Sequence, residues 1–292
     1  MGLVNFFHPE TLEEAKTLVN KYKGTKVLAG GTDLMLNLIR GEENCDYIVS
    51  LENLKGLKDI IDQGEEIRIG SMVTFTDLIY SQIIRDNFNS LINCSETMGS
   101  PQIRNAATVG GNIINAGSAA DAVPCIISLH GVLVFENLEG VRKVTCEDYF
   151  NNYSDKKIKS DEILTGILIP KTKASTGYYK LGKRNALAIA RISCAVSIEL
   201  EEGMVMEARI CLGAVGRHPF RAVDLEKATF LKKVQWLSSE ESLSYLSAEV
   251  ERSIGGRKTM PFKREAIKGV FKEALKAALK KESPKVVSGE RS

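Results

Sequence analysis

The sequence predicts an α+β fold in two parts, on three observations. Strand-like and helix-like patterns are mixed, and do not repeat as strand–helix units. A hairpin signal falls late, where Glu201-Glu202-Gly203 separates two long strand-like runs, 186–200 and 204–214. A long helical pattern closes the chain, with Ile267, Val270, Phe271, Ala274, Leu275, Ala278 and Leu279 on one face between Phe262 and Lys281. The 292 residues suffice for two domains. The content of 43% hydrophobic and 26% charged residues is that of a globular protein with a sizeable core.

From the start, Thr11-Leu12-Glu13-Glu14 has the spacing of a capping box, and predicts a helix over 12–22 ended by Gly24. Lys26–Ala29 reads as a strand, Gly30-Gly31 as a turn, and Leu34–Arg40 as a helix stopped by Gly41. Tyr47–Val49 and Ile67–Ile69 read as strands, and Thr76–Ile84 as one short helix. The segment 106–122 is rich in Gly and Ala, which lets backbones approach closely. Ile163–Ile169 is a strand ending at Pro170. The polar stretch 171–177 reads as a linker, so the boundary is drawn at 171: domains 1–171 and 172–281, then a polar, disordered tail 282–292.

Charge and composition exclude several classes. A net charge of +2 with interspersed signs does not fit a nucleic-acid binder. No apolar run nears the roughly 20 residues that span a bilayer, and no signal peptide is evident, so a cytoplasmic location without membrane partners is expected. The six cysteines are dispersed, and read as buried free thiols rather than metal ligands.

Two glycine loops carry the functional signal. In Val27-Leu28-Ala29-Gly30-Gly31-Thr32-Asp33-Leu34 a strand feeds a Gly-Gly turn and a helix start. Such a turn can present backbone N–H groups and positive potential to a diphosphate. Gly30 and Gly31 would permit close approach, and Thr32 could donate its hydroxyl. Asp33 would repel a diphosphate it faced, and reads as the cap of the following helix. A purely structural turn explains this loop equally well. The second loop is Thr108-Val109-Gly110-Gly111-Asn112, running on to Asp121. Asn112 can bond a phosphate or hold its own loop's backbone. Asp121 needs a partner in its alanine-rich setting: ribose or ribityl hydroxyls, an arginine or a helix N-terminus. Two such loops, about eighty positions apart, suit a long dinucleotide gripped from both sides. They are unlike the single G-x-G-x-x-G fingerprint. Gly177–Lys183 nearly spells a phosphate-binding Walker loop, but Arg184 stands where that loop needs Ser or Thr.

Ala29–Leu34, and Gly99-Ser100-Pro101-Gln102-Ile103-Arg104-Asn105 running into Thr108–Asn112, resemble the two FAD loops of the molybdenum hydroxylase flavoprotein subunits. That family includes xanthine dehydrogenase, aldehyde oxidase and the carbon monoxide dehydrogenase medium subunit. Phe7-His8-Pro9, Asp161–Leu164, Tyr179-Lys180 and the closing helix extend the resemblance over nearly the whole chain. It implies an FAD domain of the vanillyl-alcohol-oxidase (PCMH) type followed by a smaller α+β domain. It also implies FAD contacts along Val27 to Leu34, with Gly30, Gly31 and Thr32 at the diphosphate. Ile103, Thr108, Val109, Gly110, Gly111 and Asn112 would close from the other side. Asp121 would make a polar contact, Leu164 would meet the flavin end through its backbone, and Lys180 matches a lysine that approaches the flavin. Met98 falls where some members place an aromatic ring.

In this resemblance no side chain is catalytic. Electrons pass from a molybdenum-cofactor chain through [2Fe-2S] clusters on a second partner to FAD here, then to NAD+ or another acceptor. Neutral Asn185–Ala188, where NAD-using members can be acidic, leaves the acceptor open. No histidine lies in either loop, so the flavin is expected to be non-covalent. The alternatives are a stand-alone FAD-dependent oxidoreductase and a non-redox nucleotide-binding module.

Overall fold

The computed structural model describes residues 4–151, 158–182 and 190–280. The tail 282–292, the Lys183-Arg184 basic pair and the neutral stretch 185–188 lie outside the described residues.

The first unit is a parallel sheet of order β1-β3-β2, built from β1 (Asn5–Phe7), β2 (Lys26–Leu28) and β3 (Tyr47–Ser50). Parallel neighbours need crossovers, and α1 (Leu12–Lys21) and α2 (Leu34–Arg40) lie along them. The Thr11 hydroxyl accepts the Glu14 N–H at 3.2 Å, but the Glu14 carboxylate takes the Glu10 N–H rather than that of Thr11, so half of the expected capping box forms. Ala15 and Val19 bury the inner face of α1 against Val49 and Leu51. Gly41 ends α2 at φ 72°, a left-handed conformation that a side chain would strain.

The second unit is an antiparallel sheet, β4-β5-β8-β6-β7, with a group of short helices. Its elements are β4 (Ile60–Asp62), β5 (Glu66–Gly70), α3 (Phe75–Tyr80), α4 (Gln82–Asn87), α5 (Asn89–Thr97), α6 (Pro101–Ala106), α7 (Val109–Asn115), α8 (Ala122–Ser128), β6 (Val132–Asn137), β7 (Gly140–Thr145), α9 (Cys146–Asn151) and β8 (Ile163–Pro170). The single helix expected over 76–84 is two helices. Ser81 has extended backbone and accepts the Ile84 N–H, so it closes α3 and caps α4. Phe75, Phe88, Phe135 and Tyr149 fill the core between sheet and helices.

The third unit is an antiparallel sheet, β12-β11-β10-β9, formed by β9 (Ser175–Leu181), β10 (Ile192–Glu201), β11 (Met204–Gly213) and β12 (Phe220–Arg221). It is joined by α10 (Val223–Thr229), α11 (Glu240–Ile254) and α12 (Met260–Leu279). The β10–β11 turn forms at Glu202 and Gly203, both with positive φ, as a two-residue hairpin requires. The expected linker over 171–177 is in part strand. Ser175, Thr176 and Gly177 pair with Ile198, Ser197 and Val196. A Cβ on Gly177 would stand 2.4 Å from the Ala274 carbonyl oxygen, so the missing side chain is what seats α12 on β9.

Strand alternation gives this sheet two buried faces. Cys194, Val196, Ile210 and Leu212 pack against α11 and α12, while Tyr178, Ala195 and Cys211 join the core of the second unit. Five of the six cysteines are buried free thiols, and Cys45 is half-buried. No helix among the described residues is long and apolar enough to cross a membrane.

Candidate functional site

The two glycine loops meet in space. A Cβ on Gly30 would stand 1.7 Å from the Ala106 carbonyl oxygen, and one on Gly111 would come within 3.9 Å of the Ala29 Cβ. Between them, and against the start of β8, lies a cavity of about 400 Å³. This size falls within the range of small-molecule sites. Val27, Ala29, Gly30, Gly31, Thr32, Asp33 and Leu34 line it from the first loop. Met98, Thr108, Gly110, Gly111, Asn112 and Leu164 line it from the other side.

The loops do different work. In the first, Gly31 takes φ 70° and turns the chain into α2. The amides of residues 30 to 34 make no hydrogen bond to another described residue, and the segment that carries them, at a helix start, lines the cavity. Backbone of this kind suits a phosphate. In the second loop the amides are already engaged. Val109 N–H donates to Val73 O (2.9 Å), Gly110 N–H to Ser71 O (3.0 Å), Gly111 N–H to the Thr108 hydroxyl (3.0 Å) and Asn112 N–H to Thr108 O (3.0 Å). The second loop is therefore a wall, and not a mirror image of the first. A Cβ on Gly110 would stand 2.6 Å from Ser71 O, so that glycine is needed for packing. The Asn112 side-chain oxygen accepts the Ala122 N–H at 3.1 Å, at the start of α8, while the residue also lines the cavity.

Several expected contacts fall elsewhere. Asp33 occupies the cap position of α2 but makes no side-chain cap bond, and lines the cavity instead. Leu28, Ile103 and Val109 are not in the lining: Ile103 is partly exposed and packs over Gly99, and Val109 is buried in the core. Asp121 and Lys180 are also outside it. They face each other at 2.7 Å, each side chain almost fully buried, with the Tyr178 hydroxyl donating to Asp121 at 2.8 Å. Burial pushes the Asp121 carboxyl above its usual range, against the opposing pull of Lys180 and Tyr178. The pair joins the head of α8 to β9. The protein supplies Asp121 with a lysine and a tyrosine, neither of them among the partners the sequence offered for it.

Sequence reasoning missed part of the wall. Lys26, Glu43, Ser71, Lys159, Ser160 and Glu162 all line the cavity. Glu162 is buried. It takes two hydrogen bonds from Arg142 (2.7 and 2.6 Å) and one from the Lys159 N–H (3.0 Å). Arg142 lies on β7, its guanidinium 4.6 Å over the Phe135 ring. Burial raises the Glu162 carboxyl, but Arg142 and the Lys159 amide outweigh it and hold the group below its ordinary value. Asn137 likewise donates to Asp161 at 3.0 Å, so the β6–β7 hairpin clamps the turn before β8 twice. A register shift then places Phe135 opposite Leu164 while Val134 faces Gly166, leaving Thr165 as the extra residue of a bulge beside the cavity. No local signal in the sequence announces these long-range pairs.

An extended phosphate-bearing ligand fits these features: free amides at one loop, a closed wall opposite, and a buried Ser71 hydroxyl with no hydrogen-bond partner in the lining. Comparison with known proteins agrees. Residues 3–172 match the family described as FAD binding domain in molybdopterin dehydrogenase, and residues 177–278 match the CO dehydrogenase flavoprotein C-terminal domain. The chain is 32% identical to the nicotinate dehydrogenase FAD-subunit of Eubacterium barkeri over 92% of its length and 93% of the relative's. It is 28% identical to the putative xanthine dehydrogenase FAD-binding subunit XdhB of Escherichia coli, covering 94% and 96% of the two chains. Among solved structures it superposes on a chain of carbon monoxide dehydrogenase from Hydrogenophaga pseudoflava with TM-score 0.85 at 25% identity, over 94% and 97% of the two chains. The chain belongs to the family of FAD-binding subunits of the molybdenum hydroxylases.

Proposed function

We propose that the chain holds FAD across this cavity, and hands on electrons delivered by partner chains that carry the [2Fe-2S] clusters and the molybdenum cofactor. The observation that carries the reading is the run of unengaged amides at residues 30–34 beside a left-handed Gly31. These amides, with the Thr32 hydroxyl, would hold the diphosphate. Gly110, Gly111 and Asn112 would bound it from across the cavity, and Leu164 with Met98 would bracket the flavin end. Lys180 and Asp121 would act from behind the wall, by fixing the head of α8. FAD supplies the redox chemistry when bound; the protein's part is to bind, orient and shield it.

The proposed division is an FAD domain over 1–171 and a C-terminal domain over 172–281. A role as one subunit of an assembly is supported by the relatives' own names, which are those of an FAD-subunit and a medium chain. NAD+ or another acceptor would take the electrons, in the cytoplasm. The test is an absorption spectrum of the purified chain before and after incubation with FAD and desalting. Retained flavin bands, released as free FAD on denaturation, are expected. A colourless protein under both conditions would refute the reading.

A further inference from the structure

Ser71 follows β5 directly and sits where three pieces of the site join. Its N–H donates to Thr165 O (3.2 Å), in the bulge next to Leu164, and its carbonyl accepts the Gly110 N–H (3.0 Å) from the second loop. The backbone on both sides is thereby fixed, and a Cβ on Gly110 would stand 2.7 Å from the Ser71 Cβ. The residue is 3% exposed and lines the cavity, yet its hydroxyl has no hydrogen-bond partner. A buried hydroxyl left unpaired is costly, and such groups are uncommon in folded proteins. Nothing in the packing asks for an oxygen there, because alanine would fill the same backbone position.

Its place along the cavity narrows what it would meet. The phosphate-binding amides belong to residues 30–34, on the first loop. Ser71 lies on the opposite wall, between Gly110 and the bulge that leads to Leu164. A ligand running from the first loop toward Leu164 passes Ser71 with its middle section. A serine hydroxyl both donates and accepts, which matches a chain of hydroxyl groups better than an anion. One step of χ1 between staggered positions redirects the oxygen without moving the backbone.

We propose that Ser71 is a further binding residue, whose hydroxyl hydrogen-bonds the ribityl chain of FAD. The proposal rests on the FAD reading given above. In the ligand-bound protein this bond satisfies the orphaned oxygen and fixes the depth at which the flavin end reaches Leu164.

The experiment compares full-length wild type with Ser71→Ala in three measurements. These are the FAD dissociation constant, the ADP dissociation constant and the melting temperature of the FAD-free protein. Ser71→Ala is expected to weaken FAD about 3- to 10-fold, the worth of one ordinary hydrogen bond. ADP, which shares the diphosphate but lacks the ribityl chain, should bind both proteins equally. The FAD-free variant should melt at or above the wild-type temperature, because the substitution removes an unpaired polar atom. Unchanged FAD affinity would overturn the proposal. So would equal losses for FAD and ADP, which would move Ser71 to the diphosphate, or a lower melting temperature, which would make it a structural residue. Wild-type protein that binds no FAD would overturn the FAD reading itself and this proposal with it, an outcome separable from the others because it needs no variant.

Discussion

Gly30→Ala tests how the two loops are held together. The new methyl would begin 1.7 Å from the Ala106 carbonyl oxygen, 2.7 Å from its carbon and 3.3 Å from the Ala107 Cα. All three are backbone atoms, so no side chain can rotate away. Reaching even 3.0 Å requires the loops to part by 1.3 Å (3.0 less 1.7). Overpacking of well-packed sites costs about 1–3 kcal/mol, and a backbone-on-backbone overlap belongs at the top of that range. With a urea dependence of about 3 kcal/mol per molar, that corresponds to a midpoint lowered by roughly 1 M. Gly56→Ala is the control, since a Cβ there meets nothing within 4 Å. Its midpoint should stay within about 0.2 M, matching the few tenths of a kcal/mol usual for surface changes. The assay is urea unfolding of the FAD-free chain, followed by FAD titration of each variant. Gly30→Ala should lose both stability and FAD affinity. A wild-type midpoint with FAD binding lost would refute the reasoning, because it would mean that the Cβ faces the ligand and not Ala106.

Two further outcomes are expected. Arg142→Met leaves the Glu162 carboxylate buried without its cation, and should destabilise the chain by about 3–5 kcal/mol at pH 7. Because the folded Glu162 pKa lies below its ordinary value, the clamp's stability is fully present above about pH 4.3 and is lost as pH falls through the lower folded value. The gap between wild type and Arg142→Met in urea midpoint should therefore close in acid, and a gap that persists there would point to lost packing over Phe135. Lys180→Met should likewise expose the Asp121 carboxylate to an uncompensated burial. The Asp121 pKa is already raised by burial and would rise further, so the folded variant's stability deficit should be smaller in acid, where the carboxyl takes a proton, than at neutral pH. A deficit equal at both pH values would show that the Lys180 stem, and not its charge, is what matters.

The short-range features of this protein were legible in its residues. Thr11 marks the start of α1, Gly41 ends α2 in the left-handed region, and Glu202-Gly203 turns the β10–β11 hairpin, each because a local backbone requirement selects the residue type. The glycine pairs at 30–31 and 110–111 pointed to the site for the same reason, and the family resemblance pointed to FAD. What the glycines do was not legible. Gly31 is needed for a turn, whereas Gly30 and Gly110 are needed because Ala106 and Ser71, distant in sequence, press against them. The split of labour between the loops, one whose amides at 30–34 bond no other described residue and one whose amides at 109–112 are engaged, depends in part on acceptors at Ser71 and Val73 that only folding brings near. Arg142 and Glu162 stand twenty positions apart, and nothing local pairs them until the β6–β7 hairpin folds over the turn before β8. Asp121 and Lys180, read from the chain as ligand contacts, stand 2.7 Å from each other, a pairing the sequence did not announce. A buried charge takes the nearest countercharge the fold supplies, and local sequence does not specify which one that is.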